Sequence, residues 1–200
     1  MKTWSLIASV VFFLSACSAG AQKPAADETA PAVFRVNLDT SRGPVVIEVT
    51  RDNAPIGADH FYNLVKAKYF DGARFFRVVP NFMAQFGIAA DPAVTKTWDV
   101  PIQDDPVKTS NVRGTVTFAQ TSAPNSRSTQ LFINFVDNAF LDSQRFAPFG
   151  KVVSGMENVD QIYSGDRENP DQGQIQAEGN AYLEKEFPRL DYIKTARIAE

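Results

Sequence analysis

The chain has 200 residues, a formal net charge of -3 and a pI near 5.3, so it carries no electrostatic footprint for binding nucleic acid. Because 44% of the residues are hydrophobic and 16 of them are Phe, the composition is that of a globular protein. The single cysteine excludes an intramolecular disulfide and a cysteine-based metal cluster.

The N-terminus predicts a targeting segment. An apolar run over residues 6–14 is too short to serve as a permanent membrane-spanning helix. The next residues, Leu14-Ser15-Ala16-Cys17, resemble the lipobox of bacterial lipoproteins. This resemblance implies that residues 1–16 are a signal peptide and that a lipid is attached to Cys17. An ordinary secretory signal, cut near Ala19 or Ala21, and an uncleaved anchor are the alternatives.

Both cleaved forms place the folded part at the cell envelope. With a lipid on Cys17, followed by Ser18, the resemblance implies the periplasmic face of the outer membrane in a cell that has two membranes. Without the lipid, the protein is secreted or soluble in the periplasm. Residues 17–32 contain no aromatic residue and no periodicity, which predicts a flexible tether. Residues 33–200 show no repeat and no second composition regime, so we expect one domain.

The first predicted elements are a β-hairpin and a helix. Apolar residues alternate over 33–39 and 45–49, which predicts two paired strands. Asp52-Asn53 supplies cap candidates ahead of Pro55, and apolar residues then recur at helical spacing. A helix is therefore predicted over 55–69.

The rest of the chain predicts short strands separated by long loops. Further strands are predicted within 75–87, interrupted at Pro80-Asn81, and at 114–119, 130–135, 146–153 and 190–198. Loops are predicted at 88–112 and 164–180, and helices at 155–163 and 181–187. Since strands and helices do not alternate regularly, the pattern favours a closed β-barrel or a sandwich with helices at its ends over a doubly wound sheet.

Few residues offer covalent or metal chemistry. His60 is the only histidine and is interpreted as a structural residue of the first helix. The carboxylates of Asp99, Asp104 and Asp105 are interpreted as a solvated loop face. No nucleophile elbow, zinc-binding helix motif or phosphate-binding glycine loop is present in the sequence.

Residues 75–87 have an unusual composition for a core strand. Arg77 and Gln85 sit in an otherwise apolar, aromatic run, and alternation would place Phe75, Arg77 and Val79 on one face. An arginine among so many apolar residues needs a partner carboxylate or must face a cavity. Both options remain open from the composition alone.

Several segments, in order and spacing, resemble the cyclophilin family of peptidyl-prolyl cis/trans isomerases. They are Phe75-Phe76-Arg77-Val78-Val79-Pro80-Asn81-Phe82-Met83-Ala84-Gln85-Phe86-Gly87, Gly114-Thr115-Val116-Thr117-Phe118-Ala119, Pro124-Asn125-Ser126, Ser128-Thr129-Gln130-Leu131-Phe132-Ile133, Phe140-Leu141-Asp142 and Phe149-Gly150-Lys151-Val152. The resemblance covers residues 33–163 and the last strand. It implies a mainly β fold, a closed eight-stranded antiparallel β-barrel capped by two α-helices, here with an extra short C-terminal helix.

The resemblance also implies the site. Arg77 corresponds to the catalytic arginine. The other implied groove residues are Phe82, Met83, Phe132 and Leu141 for the proline pocket, Gln85, Ala119, Gln120 and Gln130 for the adjoining peptide-binding surface, and Phe140 for the rim. From the residues alone, the apolar members could be ordinary core, and Gln85 and Gln130 could be structural amides.

The function that the resemblance implies is isomerisation of X-Pro bonds in exported proteins, with no cofactor. The implied partners are proline-containing peptides and unfolded exported proteins, and the protein is expected to be a monomer. The alternative is a non-catalytic proline-peptide binding module or chaperone, in which the same groove binds without turnover. One departure affects the groove: a histidine common in the family has no match, and either Arg145 or Phe146 is expected in its place.

Overall fold

A computed structural model describes residues 28–199. The predicted signal peptide, Cys17 and most of the predicted tether lie outside this range. Within it, eight strands form one antiparallel sheet in the order β3-β4-β6-β5-β7-β2-β1-β8. The strands are β1 Val33–Thr40, β2 Gly43–Thr50, β3 Arg77–Val79, β4 Met83–Phe86, β5 Thr115–Phe118, β6 Leu131–Asn134, β7 Pro148–Ser154 and β8 Ile193–Ile198.

Five α-helices and two 3-10 helices connect these strands in the described part of the chain. The α-helices are α1 Pro55–Lys66, α2 Pro92–Trp98, α3 Met156–Val159, α4 Gln172–Glu178 and α5 Asn180–Glu186. The 3-10 helices are Arg51–Asn53 and Ala139–Gln144. Over residues 28–199, every helix falls short of the length and apolarity that crossing a membrane requires.

The sheet curls into a half-barrel, and the predicted full closure is wrong. The two edge strands, β3 and β8, are not joined by a continuous ladder. Instead, the backbone N–H of Gly72 donates to Ile193 O at 2.7 Å, and the N–H of Phe75 donates to Asp191 O at 2.9 Å. The physical reason is that residues 67–72 form turns and β3 begins only at Arg77, so the segment that reaches β8 is irregular.

The hairpin and the main core follow the predicted alternation. In β1, Phe34, Val36 and Leu38 are buried while their neighbours are exposed, and β2 pairs with β1 along its whole length. The apolar face of α1 packs on this sheet through Phe61 and Leu64, both fully buried. Burying such a side chain contributes about 1.5–3 kcal/mol, so this helix and hairpin anchor the fold.

Two helices lie in segments that were predicted to be loops. Asp91 caps α2 by accepting from the N–H of Ala93 at 2.8 Å, with Pro92 as the first helical residue. Asp171 caps α4 by accepting from the N–H of Gln174 at 2.8 Å. Each helix has seven residues, which is too short to show a sustained apolar period in the sequence. Tertiary packing, rather than a sequence pattern, therefore determines that these segments are helical. The predicted helices at 55–69 and 155–163 are real but shorter.

The N-terminus of α1 rests on a buried carboxylate, which corrects two expectations. Asp105 accepts from the N–H groups of Ile56 and Gly57 at 3.0 and 2.8 Å, while Asp52-Asn53 makes no side-chain cap. Asp105 is only 3% exposed, so it does not belong to a solvated loop face. Its partner is Arg127 at 3.1 Å. Helix N-termini hold unpaired N–H groups that attract negative charge, which explains the burial.

Residues 28–32, placed in the tether by their composition, contact α1. Glu28 donates its backbone N–H to the Asn63 side chain at 3.0 Å, and Ala30 donates to Asp59 at 2.8 Å. Ala30 is 5% exposed. The folded domain therefore includes these residues.

Helices α4 and α5 build a second apolar cluster beside the groove. Its buried members are Phe76, Ile88, Ile175, Tyr182, Leu183 and Leu190. Phe75 belongs to the main core instead, so the expectation that it shares a face with Arg77 is wrong, since the regular strand begins only at Arg77. The second cluster fixes the C-terminal helices against β3 and β4.

Candidate active site

A cavity of about 300 Å³ opens on the sheet surface formed by β3, β4 and β6. Every residue predicted for the groove lines it except Phe140. Those on β3, β4 and β6 reach it because alternate residues of each strand point away from the main core. The others come from adjoining segments, including the one after β5 and the 3-10 helix Ala139–Gln144. The cavity also includes residues that the sequence did not single out for the groove: Thr121, Ser126, Ser128 and Gln172.

The floor of the cavity is apolar and separate from the main core. Met83, Phe132 and Leu141 form a buried cluster of their own, with exposures of 1, 5 and 4%. In β6, Leu131 and Ile133 face the main core. Phe132 therefore points the other way, into the cavity, and the interpretation of these residues as ordinary core is not needed.

Arg77 stands at the edge of this floor. Its guanidinium carbon lies 5.9 Å from the centre of the Phe82 ring, and Nη1 lies 3.9 Å from the Met83 sulfur. The side chain is 29% exposed, so it faces the cavity while remaining in contact with the apolar floor. It also pairs with a carboxylate, that of Glu168.

A chain of amide hydrogen bonds crosses the groove from Arg77. Arg77 Nη1 donates to Gln85 Oε1 at 3.1 Å, and Gln85 Nε2 donates to Gln130 Oε1 at 2.8 Å. Arg77 and Gln85 are direct partners in the β3–β4 ladder, so the register of two strands sets the first contact. Gln85 is thus held by a hydrogen bond to Gln130, and Gln85 in turn fixes the Arg77 guanidinium.

Phe140 lies at the mouth of the groove rather than in it. Its ring stacks on Phe82 at 6.0 Å with an interplanar angle of 24°, and the side chain is 56% exposed. Gln120, in the wall, donates from Nε2 to Gln144 O at 2.8 Å. The position of Phe140 is that of a rim residue.

Of the two residues expected near the position of the missing histidine, Phe146 lines the cavity and Arg145 does not. The Phe146 ring meets Phe132 edge-on at 5.7 Å. Arg145 adopts a left-handed conformation, with φ of 69°, and its side chain pairs with Asp104 at 3.6 Å. The turn sends the two neighbouring side chains in different directions, which the sequence could not decide.

A polar network supports the segment that carries Leu141 and Phe146. Asp142 accepts from the Ser110 hydroxyl at 2.5 Å and from Asn111 Nδ2 at 2.8 Å, and the same Asn111 nitrogen lies 2.9 Å from Phe146 O. Partial burial acts to raise the pKa of the Asp142 carboxyl, but the hydrogen bonds from Ser110 and Asn111 outweigh it and hold that pKa below its ordinary value.

The arrangement can bind an apolar ring and present a fixed cation to it. Among residues 28–199, no group of three or more His, Cys, Asp or Glu side chains is placed to hold a metal ion. The only histidine in the chain, His60, packs against Trp98 and Phe118 with ring centres 6.3 and 5.8 Å away. The groove offers hydrogen-bond donation from a guanidinium beside an apolar floor.

Comparison with known proteins gives a family. The family model described as cyclophilin type peptidyl-prolyl cis-trans isomerase matches residues 35–179. A peptidyl-prolyl cis-trans isomerase of Acinetobacter baylyi is 40% identical over 132 residues, which cover 64% of this chain and 70% of the relative. Peptidyl-prolyl cis-trans isomerase A of Dickeya dadantii is 38% identical over 139 residues, covering 67% and 73%.

Solved structures agree on the fold. A cyclophilin-type peptidyl-prolyl cis-trans isomerase from Cryptosporidium parvum superposes with a TM-score of 0.65 at 19% identity, covering 84% of this chain and 98% of that one. A cyclophilin from Hirschia baltica gives a TM-score of 0.63 at 18% identity, covering 84% and 75%. The Cryptosporidium protein was also solved in the presence of the dipeptide Ala-Pro.

Proposed function

Since this chain belongs to the cyclophilin-type peptidyl-prolyl cis/trans isomerase family and is an isomerase of that kind, we propose that Arg77 is its catalytic residue and acts without covalent chemistry. Arg77 donates a hydrogen bond to the prolyl nitrogen as the X-Pro bond twists. The apolar floor holds the proline ring in place. No cofactor takes part.

The chemistry of the amide explains why an arginine suffices. Resonance keeps the bond planar and raises a rotation barrier of about 18–20 kcal/mol, so uncatalysed X-Pro isomerisation takes roughly tens to hundreds of seconds. In the twisted transition state this resonance is lost and the nitrogen regains a lone pair. A donor near that nitrogen binds the twisted form more tightly than the planar one, which is the condition for catalysis.

One observation supports this assignment above the others. The Arg77 guanidinium contacts both the polar chain through Gln85 and the apolar floor through Met83, in one cavity. A proline ring seated on Met83, Phe132 and Leu141 would have its nitrogen near this guanidinium. Arginine suits the role because it stays protonated and its donors are rigidly arranged. Binding a proline ring without turnover would need only the apolar floor.

The test is isomerisation of a short peptide with one X-Pro bond, followed by exchange NMR. We expect Arg77→Ala to lower kcat/KM by about a hundredfold or more, while the fold and thermal stability are kept. Arg35→Ala is the matched control, because Arg35 is an exposed arginine on β1 paired with Glu48. If Arg77→Ala were as fast as the wild type, or if both were inactive, the mechanism would be wrong.

Localisation and substrates follow from the N-terminus and form the second part of the proposal. The lipobox resemblance at Cys17 supports a lipid anchor at the cell envelope and substrates among exported proteins that await folding. Cells expressing the wild type and Cys17→Ser are fractionated, and the mature N-terminus is measured by mass spectrometry. We expect lipidated Cys17 in the membrane fraction and release of the variant. A mature chain starting after Cys17 would point to a soluble periplasmic or secreted protein instead.

A further inference from the structure

A carboxylate outside the predicted groove holds the Arg77 guanidinium. Glu168 lies in the loop between α3 and α4, 91 residues beyond Arg77 in sequence. Its Oε1 accepts from Arg77 Nε at 2.7 Å and lies 2.5 Å from Nη2. One oxygen therefore binds the edge of the guanidinium that carries Nε and Nη2, while Gln85 binds Nη1 from the other side.

The loop that carries Glu168 is fixed at both ends. The N–H of Val78, the neighbour of Arg77 in β3, donates to Arg167 O at 3.1 Å. On the other side, Asp171 caps α4 and its own N–H lies 3.2 Å from the Tyr182 hydroxyl. The backbone of this loop is thus tied to the strand that carries Arg77, and the carboxylate is delivered from a defined position.

The second apolar cluster holds α4 and α5 in place behind this loop. Ile175 of α4 and Leu183 of α5 are each 1% exposed and belong to the same cluster as Phe76 and Ile88, next to β3 and β4. A rigid support of this kind is what a positioning contact requires. Helices α4 and α5 are therefore connected through this cluster to the strands that line the groove.

We propose that Glu168 is a positioning residue for the isomerase reaction, which orients the Arg77 guanidinium toward the prolyl nitrogen. This rests on the proposed role of Arg77. Of the five N–H groups of a guanidinium, the contacts with Glu168 and Gln85 occupy three. The other Nη1 hydrogen is donated to the Met83 sulfur at 3.9 Å, so one hydrogen on Nη2 stays for the substrate. Without Glu168, the long and flexible Arg77 side chain would be held only by Gln85 and by the weak contact with the Met83 sulfur.

The negative charge of Glu168 also has an opposing effect, because it offsets part of the cation that the transition state meets. Positioning outweighs this effect for a physical reason. The Glu168 side chain is 58% exposed, so water screens its field. Its hydrogen bonds still fix the geometry, and a misplacement of roughly 1 Å can cost about a hundredfold in rate.

The experiment compares Glu168→Ala, Glu168→Gln and Arg77→Ala, alone and combined, on a tetrapeptide containing one Ala-Pro bond. Exchange NMR separates kcat from KM. We expect Glu168→Ala to lower kcat about tenfold with KM changed by less than about twofold, because Arg77 acts in the transition state. Glu168→Gln keeps an acceptor oxygen and should retain about half of the activity or more. Glu178→Ala is the control, since Glu178 is an exposed carboxylate of α4 outside the cavity.

Two further readouts distinguish positioning from a merely structural role. In the Arg77→Ala background, Glu168→Ala should have no additional effect on the rate. The Arg77 Nε–H resonance should exchange slowly with water in the wild type and rapidly in Glu168→Ala. Both results require that Glu168 acts through Arg77.

The outcomes are separable from those of the proposed function. If Arg77→Ala is slow but Glu168→Ala matches or exceeds the wild-type rate, the positioning role is wrong and the role of Arg77 stands. If Glu168→Ala raises KM and slows the Arg77→Ala background equally, the loop has only a structural role and the inference is overturned. If Arg77→Ala is as fast as the wild type, both proposals fall together.

Discussion

Two arginines of this protein lie beside aromatic rings in regions that differ in almost every other respect. Arg127 lies 6.0 Å from the Phe118 ring and is 1% exposed. Arg77 lies 5.9 Å from the Phe82 ring and is 29% exposed. Arg127 also contacts Gln103 O and pairs with the buried Asp105. The first region joins α1 to the loops around it, and the second borders the cavity.

The two arginines differ in whether hydrogen-bond donors of the guanidinium remain accessible to a ligand. Around Arg127, the paired carboxylate is also buried and is itself used to cap α1, so the cluster is closed to ligands. Around Arg77, the partners leave donors beside an apolar cavity. Proximity of an arginine to aromatic residues therefore does not identify a site; an adjacent cavity and remaining donors do.

The largest expected effect comes from Arg127→Met. Removing one partner of a buried ion pair leaves the Asp105 carboxylate uncompensated, so we expect the free energy of unfolding to fall by about 3–5 kcal/mol. Arg77→Met, the matched variant in the groove, should cost less than about 1 kcal/mol, because an exposed pair contributes little. Urea denaturation of both variants measures this. Equal losses of stability would remove the distinction between the two regions.

Phe146→Ala tests the apolar side of the groove. Shortening this side chain removes its edge-on contact with Phe132 and part of the surface available to the proline ring. Since the lost burial is a fraction of the roughly 1.5–3 kcal/mol of a whole Phe side chain, we expect KM for an X-Pro peptide to rise about tenfold, with kcat reduced less. Arg145→Ala, at the neighbouring exposed position, is the control. A normal KM for Phe146→Ala would place proline binding elsewhere.

Asp142→Asn has the smallest expected effect, a loss of stability that depends on pH. Because hydrogen bonds hold the pKa of Asp142 below its ordinary value of 3.8, this carboxylate stabilises the folded state fully above that value. The contribution is lost as pH falls through the lower folded pKa. We expect the variant to lose about 1 kcal/mol near pH 6. The difference from the wild type should shrink as pH falls below 3.8, the ordinary value of the carboxyl pKa.

Thermal unfolding of the two proteins over this range checks the prediction. A difference that grew on acidification would contradict the assigned direction. Peptide binding should weaken in parallel near neutral pH, because Asp142 supports the segment that carries Leu141 and Phe146. The arginine of the groove keeps its own contacts in this variant.

The elements that the sequence predicted correctly are those with strong local patterns. Alternation over β1 and β2 and the helical spacing of α1 needed no tertiary information, because each pattern matches the period of its structure. The short helices α2 and α4 were missed since seven residues do not establish a period. Full barrel closure was also wrong, because the turns at 67–72 leave only irregular backbone to meet β8.

The sequence indicated the groove residues through strand alternation together with the family resemblance, whereas the residues alone left the apolar ones open as ordinary core. Within β4 and β6, alternate positions must point to opposite sides, so Gln85 and Phe132 had to leave the core once Ala84 and Ile133 entered it. The resemblance to the cyclophilin family then implied that these positions lie beside Arg77. The alternation of side chains along a strand is local information, so it can be read without knowing how distant segments pack.

Only the tertiary structure decided what surrounds Arg77 and Arg127. The contacts of Arg77 with Glu168 and of Arg127 with Asp105 span 91 and 22 residues. Pairing over such distances depends on where loops are held by packing, which no periodicity encodes. The left-handed turn at Arg145, which turns Phe146 into the cavity, was likewise set by its surroundings. The strands therefore determine which side chains form the groove surface, and the tertiary structure determines how the Arg77 guanidinium is oriented in it.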